Sequence, residues 1–377
     1  MSVIWFVIII VVLALFQMQF FYYWGLRKIE YKRFFSRKSA YEGEKTEMVE
    51  ILSNNKAIPL PWLRIESRIS PYLKFKSILN YDISYDQFHK SIFFLRGHKK
   101  ITRRHEITCT HRGYFKLGSA ALSVGDLFGL LNKFSDYHTD ETLYVYPALL
   151  SDEELPDSLI KWQGDIVMRR WIMPDPILVS GIREYRSGDP QKDIHWRATA
   201  STGRLQVKVR DFTVSPKILI LLNTQVKEDM HDDIMTREEC EVIESGVRVS
   251  AHLAAWAILN GLEAGFYSNG RLADETGIVA CPPFCSSAYL ELLLQTMAKL
   301  VIVREMNFHV LLDNLYSDAV TGMDIVAVSP YWSETLENRA EKLRSSGNNV
   351  SHILFSGGIP GTSFGKETGS HEEETAV

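Results

Sequence analysis

Residues 3–16 form an unbroken apolar run, Val-Ile-Trp-Phe-Val-Ile-Ile-Ile-Val-Val-Leu-Ala-Leu-Phe. Gln17 and Gln19 interrupt it, and Phe20, Phe21, Tyr22, Tyr23 and Trp24 follow. At ~1.5 Å per residue, a helix over 3–24 is ~33 Å long and spans a ~30 Å hydrocarbon core. Its closing aromatic cluster suits the boundary between hydrocarbon and water. The competing reading is a cleaved signal peptide. That asks for a basic start and a small-residue cleavage site, yet Met1-Ser2 carries no charged side chain and Gln-Phe-Phe-Tyr-Tyr-Trp offers no such site. No later stretch is apolar for long enough to be a second span.

Beyond the helix the period changes. Residues 46–150 read as strands: 62–66 alternates after the turn-like Ile58-Pro59-Leu60-Pro61, and 91–95, 101–110 and 143–146 follow the same rule. Arg112-Gly113-Tyr114 and Gly125-Asp126-Leu127-Phe128-Gly129 punctuate them. From Lys217 onward, strands alternate with helices. Residues 218–222 are a short apolar run, as in a buried parallel strand. Residues 237–260 carry Val242, Val249, Leu253 and Trp256 on one helical face, with Gly261 closing the helix. Then come a strand at 264–267, a helix at 288–303, strands at 308–312 and 324–328, a helix at 333–345 capped by Ser333, and a strand at 350–355. This alternation predicts a doubly wound α/β domain.

The expected layout is a transmembrane helix at 3–24, a basic juxtamembrane linker at 25–45 and a β-rich, sandwich-like domain at 46–150. A connector at 151–215, an α/β domain at 216–356 and a disordered tail at 357–377 complete it.

Charge orients this layout. Arg27, Lys28, Lys32, Arg33, Arg37 and Lys38 follow the helix with only Glu30 opposing them. The positive-inside rule then puts the body in the cytoplasm and the short N-terminus outside, as a single-pass protein of the cell membrane. The net charge of -4 supplies no global attraction to nucleic acid. Cys109, Cys240, Cys281 and Cys285 are too few and too poorly spaced for a disulfide framework or a zinc site, so free thiols are expected. No metal and no cofactor are expected.

The densest polar stretch runs from Gly181 to Arg210. It holds the cations Arg183, Arg186, Lys192, Arg197, Arg204, Lys208 and Arg210 and the acids Glu184, Asp189 and Asp193, with His195 and Trp196 among them. Ser187-Gly188-Asp189-Pro190 is a turn, 194–200 a short helix capped by Asp193, and 205–210 a strand with its cations outward. Three readings compete. The acids pair with the arginines and lock the segment in place. Or the basic face and Trp196 dock a protein partner. Or Asp189, Asp193 and His195 form the site of a metal-assisted hydrolase. The docking surface would comprise Arg183, Glu184, Tyr185, Gly188, Asp189, His195, Trp196, Arg197, Arg204 and Arg210, together with the C-terminal ends of the α/β strands near Asn223 and Ser268, where open sheets place their ligand crevices.

Glu184-Tyr185, Gly188-Asp189, Ile194-His195-Trp196, Ala200 and Gly203-Arg204-Leu205 together resemble the signature of the bacterial domain of unknown function 58 family. Pro59-Leu60-Pro61-Trp62-Leu63, Arg112-Gly113-Tyr114, Asp126-Leu127-Phe128-Gly129 and Val145-Tyr146-Pro147 extend the resemblance upstream in the same order. It implies a membrane-anchored protein with a von Willebrand factor A-like α/β domain, often accompanied by a MoxR-type AAA+ ATPase. Some relatives have transglutaminase-like partners. The implied role is a scaffold in chaperone-like or envelope-assembly work rather than an enzyme. The chain departs from the pattern where metal-binding von Willebrand A domains carry Asp-x-Ser-x-Ser, because Asn223, Gln225 and Lys227 stand there. Lys192, where relatives usually carry Arg, gives up bidentate pairing.

Overall fold

The computed structural model describes residues 2–76, 87–125, 132–155, 157–172, 179–210, 217–228, 235–274 and 277–355. The Asp126-Leu127-Phe128-Gly129 motif and the tail at 357–377 lie outside them. The chain divides into two compact units, Met1–Ala148 with Met297–Lys299, and Leu149–Thr296 with Leu300–Val377.

The first unit opens with helix α1, Ser2–Trp24. Its apolar side chains are exposed along almost the whole length, and it is long and apolar enough to cross a bilayer. A second helix of similar length, described below, passes the same test but is mostly buried in its own unit. Strands follow: β1 Ile29–Phe35, β2 Ser39–Tyr41, β3 Lys45–Asn54, β4 Leu60–Ile69, β5 Leu73–Phe75, β6 Gln87–Leu95, β7 Lys99–Cys109, β8 Gly113–Lys116, β9 Ala120–Gly125, β10 Asn132–Tyr137 and β11 Thr142–Tyr146. They form sheets ordered β1-β3-β7-β5, β10-β9-β4-β6 and β2-β11-β8. The first two share a core, where Tyr31 and Leu52 meet Leu63, Ile65, Phe93, Leu122 and Val124.

The stretch at 25–45, expected as a linker, carries β1 and β2 instead. Tyr31, Arg33 and Phe35 point inward and are buried, while Glu30 and Lys32 point out. Two of the basic residues read as linker charges, Lys32 and Arg33, are therefore strand positions. Arg33 is buried, with Nη2 donating to the Gly118 carbonyl at 3.2 Å. Its register partner Glu50 is also buried and accepts from the Tyr31 hydroxyl at 2.7 Å.

The second unit holds α2 Asp157–Ile172, β12 Val179–Glu184, α3 Trp196–Thr202, β13 Gln206–Arg210, β14 Lys217–Leu222, α4 Arg237–Leu259, β15 Glu263–Ser268, β16 Gly270–Leu272 and β17 Val279–Phe284. It continues with α5 Ser287–Lys299, β18 Leu300–Arg304, α6 Phe308–Ser317, β19 Met323–Ser329, α7 Glu334–Ser345 and β20 Asn349–Leu354. Its five-stranded sheet runs β17-β15-β14-β19-β20, parallel except for the β15–β17 edge pair. Leu219, Leu221, Ile325 and Ala327 face α6 and α7. Ile218, Ile220 and Leu222 alternate to the other side, where α4 packs. Helices thus cover both faces, as buried parallel strands require.

Two elements differ from expectation. Residues 308–312 are not a strand but the first turns of α6, because Phe308, Leu311, Leu312 and Leu315 continue the apolar spacing at a helical period. The helix expected over 288–303 stops at Lys299, and the β-branched run after it becomes β18, paired with β16.

Candidate functional site

The signature stretch folds as a small hairpin module. β12 and β13 pair antiparallel, with Glu184 opposite Gln206 and Ile182 opposite Lys208. Gly188 at φ 109 turns the chain where a side chain would be strained. The Asp189 carboxylate closes that turn. It accepts from Arg183 Nη1 at 2.7 Å and Nη2 at 2.6 Å, and from the Arg186 amide at 2.7 Å. The Arg183 guanidinium, then the Arg186 amide, hold its pKa down at about 2. Glu184 pairs with Arg204 at 3.0 Å.

His195, and not Asp193, caps α3: its Nδ1 accepts from the Ala198 amide at 3.0 Å. Asp193 belongs to a preceding 3-10 turn. Ile194 after it is extended, buried and bridged to Val207, so the helix starts two residues later than expected. An imidazole nitrogen that accepts a hydrogen bond carries no proton of its own, so Nδ1 is the accepting nitrogen of this cap. Asp189 is thus committed to arginine and His195 to a helix end. Among the described residues no cluster of three His, Cys, Asp or Glu side chains, Asp189, Asp193 and His195 included, is fit to hold a metal.

Three apolar side chains stand out of this module: Trp196 is 68% exposed, Ile182 49% and Leu205 45%. Leu205, expected inward, is exposed because it precedes the paired strand. Gln206 and Val207 are buried in its place, and the Gln206 amide donates to Thr199 Oγ1 at 3.0 Å. Tyr185 is half-buried and donates its amide to the Leu205 carbonyl at 2.9 Å. Arg197 is exposed, and Arg210 lies opposite Val179, its side chain outside the described residues.

A second constellation lies at the C-terminal ends of β14, β15 and β19, beside the point where strand order reverses. Asn223, Thr224, Gln225, Ser268, Asn269 and Ser329 are all buried there. Asn223 Nδ2 donates to Ser329 Oγ at 2.9 Å, and Asn269 Oδ1 accepts from the Thr224 amide at 2.8 Å and its hydroxyl at 3.1 Å. Gln225 Oε1 accepts from the Phe308 amide at 2.6 Å. Lys227 is exposed. Neutral amides and hydroxyls satisfy one another here, where a divalent cation would need carboxylates.

No protein-family model matches the chain. The "Uncharacterized protein YeaD" of Bacillus subtilis (strain 168) is 22% identical over 251 residues, covering 65% of this chain. That match spans only 57% of YeaD. A non-cellulosomal cohesin from the hyperthermophilic archaeon Archaeoglobus fulgidus overlaps 33% of this chain and 94% of its own, at 14% identity and a TM-score of 0.21. The bacterial hydrophobin BslA overlaps 33% of this chain and 97% of its own, at 9% identity and a TM-score of 0.22. Likeness at these scores assigns neither fold nor activity.

The sequence marked Trp196 and the strand ends near Asn223 and Ser268, which are buried rather than open to a partner, and passed over Ile182, Asn269 and Ser329. The strand-end rule that marked Asn223 and Ser268 reaches Asn269 and Ser329 as well. Each ends or directly follows an apolar strand, where open α/β sheets gather polar groups.

Proposed function

We propose that this chain is a membrane-anchored docking protein of the domain of unknown function 58 kind. Its α/β unit is of von Willebrand A type and engages a MoxR-type AAA+ ATPase in the cytoplasm. The observation that carries the reading is the exposed Trp196 with Ile182 and Leu205, in a module whose acids are largely committed to its own arginines. Burying the exposed part of an indole contributes about 3–4 kcal/mol. The ion pairs hold the surrounding backbone ready, which lowers the ordering cost of binding. Tryptophan and arginine are the side chains that dominate protein interfaces. Support for the sidedness comes from the basic residues after α1. The central position of β14, with β15 on one side and β19 and β20 on the other, supports the α/β reading.

The test is binding of the purified ATPase to the full chain in lipid nanodiscs. Trp196→Ala should weaken binding at least about tenfold, the scale of an interface hot spot. Equal affinity for both proteins would remove the docking reading.

A further inference from the structure

The end of α1 does not hang free of the β unit. Lys133 Nζ donates to the Tyr22 carbonyl at 2.9 Å and lies 5.0 Å from the Tyr22 ring centre. Lys56 Nζ takes the carbonyls of Trp24, at 2.5 Å, and Gly25. A Cβ on Gly25 would meet Val124. The starts of β4 and β10 and the end of β9 therefore lie level with the helix terminus. Tyr137, at the other end of β10, stacks edge-on with Tyr31 of β1, 5.1 Å between centres. So β10 runs away from the helix end, and β4 starts beside it while its partner β6 finishes there.

Register fixes which face each residue takes. Lys133, Val124, Leu63 and Phe93 form one row across the sheet, and Val124, Leu63 and Phe93 are buried in the core. The next row, Phe134, Ser123, Arg64 and Ile92, therefore points outward, and Phe94 follows Ile92 on the same side. Phe134 is 67% exposed, Ile92 61% and Phe94 59%. Phe134 sits one residue, ~3.3 Å of strand, beyond the lysine that touches Tyr22.

We propose that this outer face of the β10-β9-β4-β6 sheet is a second membrane contact, with Phe134, Ile92 and Phe94 entering the headgroup layer beside α1. The occupant is the lipid surface. The patch adjoins the aromatic end of the membrane helix, and the headgroup layer is ~5–7 Å deep on each side, within reach of a side chain at this level. Arg64 and Lys90 on this face pair with Glu66, so the contact is chiefly apolar, with Lys133 the cation beside the helix end. The proposal rests on α1 spanning the bilayer.

Spin labels in the full chain, reconstituted in vesicles of phosphatidylethanolamine and phosphatidylglycerol, test it. Cys240, Cys281 and Cys285 are replaced by serine, and buried Cys109 stays. Labels go at Phe134→Cys and Phe94→Cys, at Val11→Cys within α1, and at Tyr72→Cys, which is exposed beside the far end of β7. Phe134, Phe94 and Val11 should be open to oxygen and at least about fivefold less accessible than Tyr72 to a water-soluble nickel complex. If Phe134 and Phe94 match Tyr72 while Val11 stays shielded, the second contact is wrong and the anchor stands. If Phe134 and Phe94 are closed to oxygen and nickel alike, protein covers the patch and the proposal fails. If Val11 is itself open to nickel, the anchor fails and the proposal with it.

Discussion

Asn269 joins the loops after three strands of the α/β unit. Its Oδ1 takes both donors of Thr224, and its Nδ2 reaches the Met306 carbonyl at 3.1 Å, with longer contacts to Asn223 and Gln225. Asn269→Ala would leave the Thr224 amide, the Thr224 hydroxyl and the Met306 carbonyl without that partner in a buried place. Each orphaned group costs about 1–3 kcal/mol, so a loss of about 2–5 kcal/mol is expected after partial relaxation. Denaturant unfolding of the detergent-solubilised chain measures it, and a loss under about 1 kcal/mol would mean that water replaces the amide freely. The same arithmetic explains why these residues escaped notice in the sequence. A lone Asn or Ser after an apolar strand has the look of an ordinary turn former, and only its burial reveals the cost.

Helices whose apolar spacing and caps agree were legible before the structure. α4 begins at a capping box, where Thr236 and Glu239 satisfy each other's backbone amides, and Gly261 follows its end at φ 72. α7 has Ser333 and Gly347 at its two ends, as read. Failures came where two signals conflicted. β1 was hidden because Lys32 and Arg33 continue the basic run that follows α1, although Arg33 points inward and is buried. α6 was hidden because its first five residues contain a strand-like apolar run, and Leu315 alone restores the helical period. α4 also buries more than the stripe of Val242, Val249, Leu253 and Trp256. Ile243, Gly246, Val247 and Ser250 are buried beside Val249 and Leu253, whereas Val242 and Trp256 are only half-buried, the Trp256 ring lying 6.1 Å from that of Trp162 in α2. At Gly246 a Cβ would stand 2.4 Å from the Phe355 ring. Gly246→Val should therefore destabilise the α/β unit by about 1–3 kcal/mol through overpacking, read as a lowered thermal midpoint. Gly246→Val together with Phe355→Ala should recover part of that loss, and no recovery would place the clash elsewhere.

The two units divide the work differently. In the second, polar side chains close the crevice where a doubly wound sheet receives ligands. Because those groups are neutral, millimolar Mg²⁺ should leave the thermal midpoint of the whole chain unchanged. Saturating a true site at about a hundred times its Kd would add about 2.7 kcal/mol and shift the midpoint by degrees. In the first unit, only residues 25–28 separate α1 from β1, and Lys56 grips the carbonyls at the helix end. Burial pulls the Lys56 pKa down to about 8, while the carbonyl end of the helix favours the charged form that holds it. Nothing in this join resembles a swivel. With α1 in a bilayer as proposed, torque applied to the first unit would pass straight to that helix through four residues and the Lys56 grip.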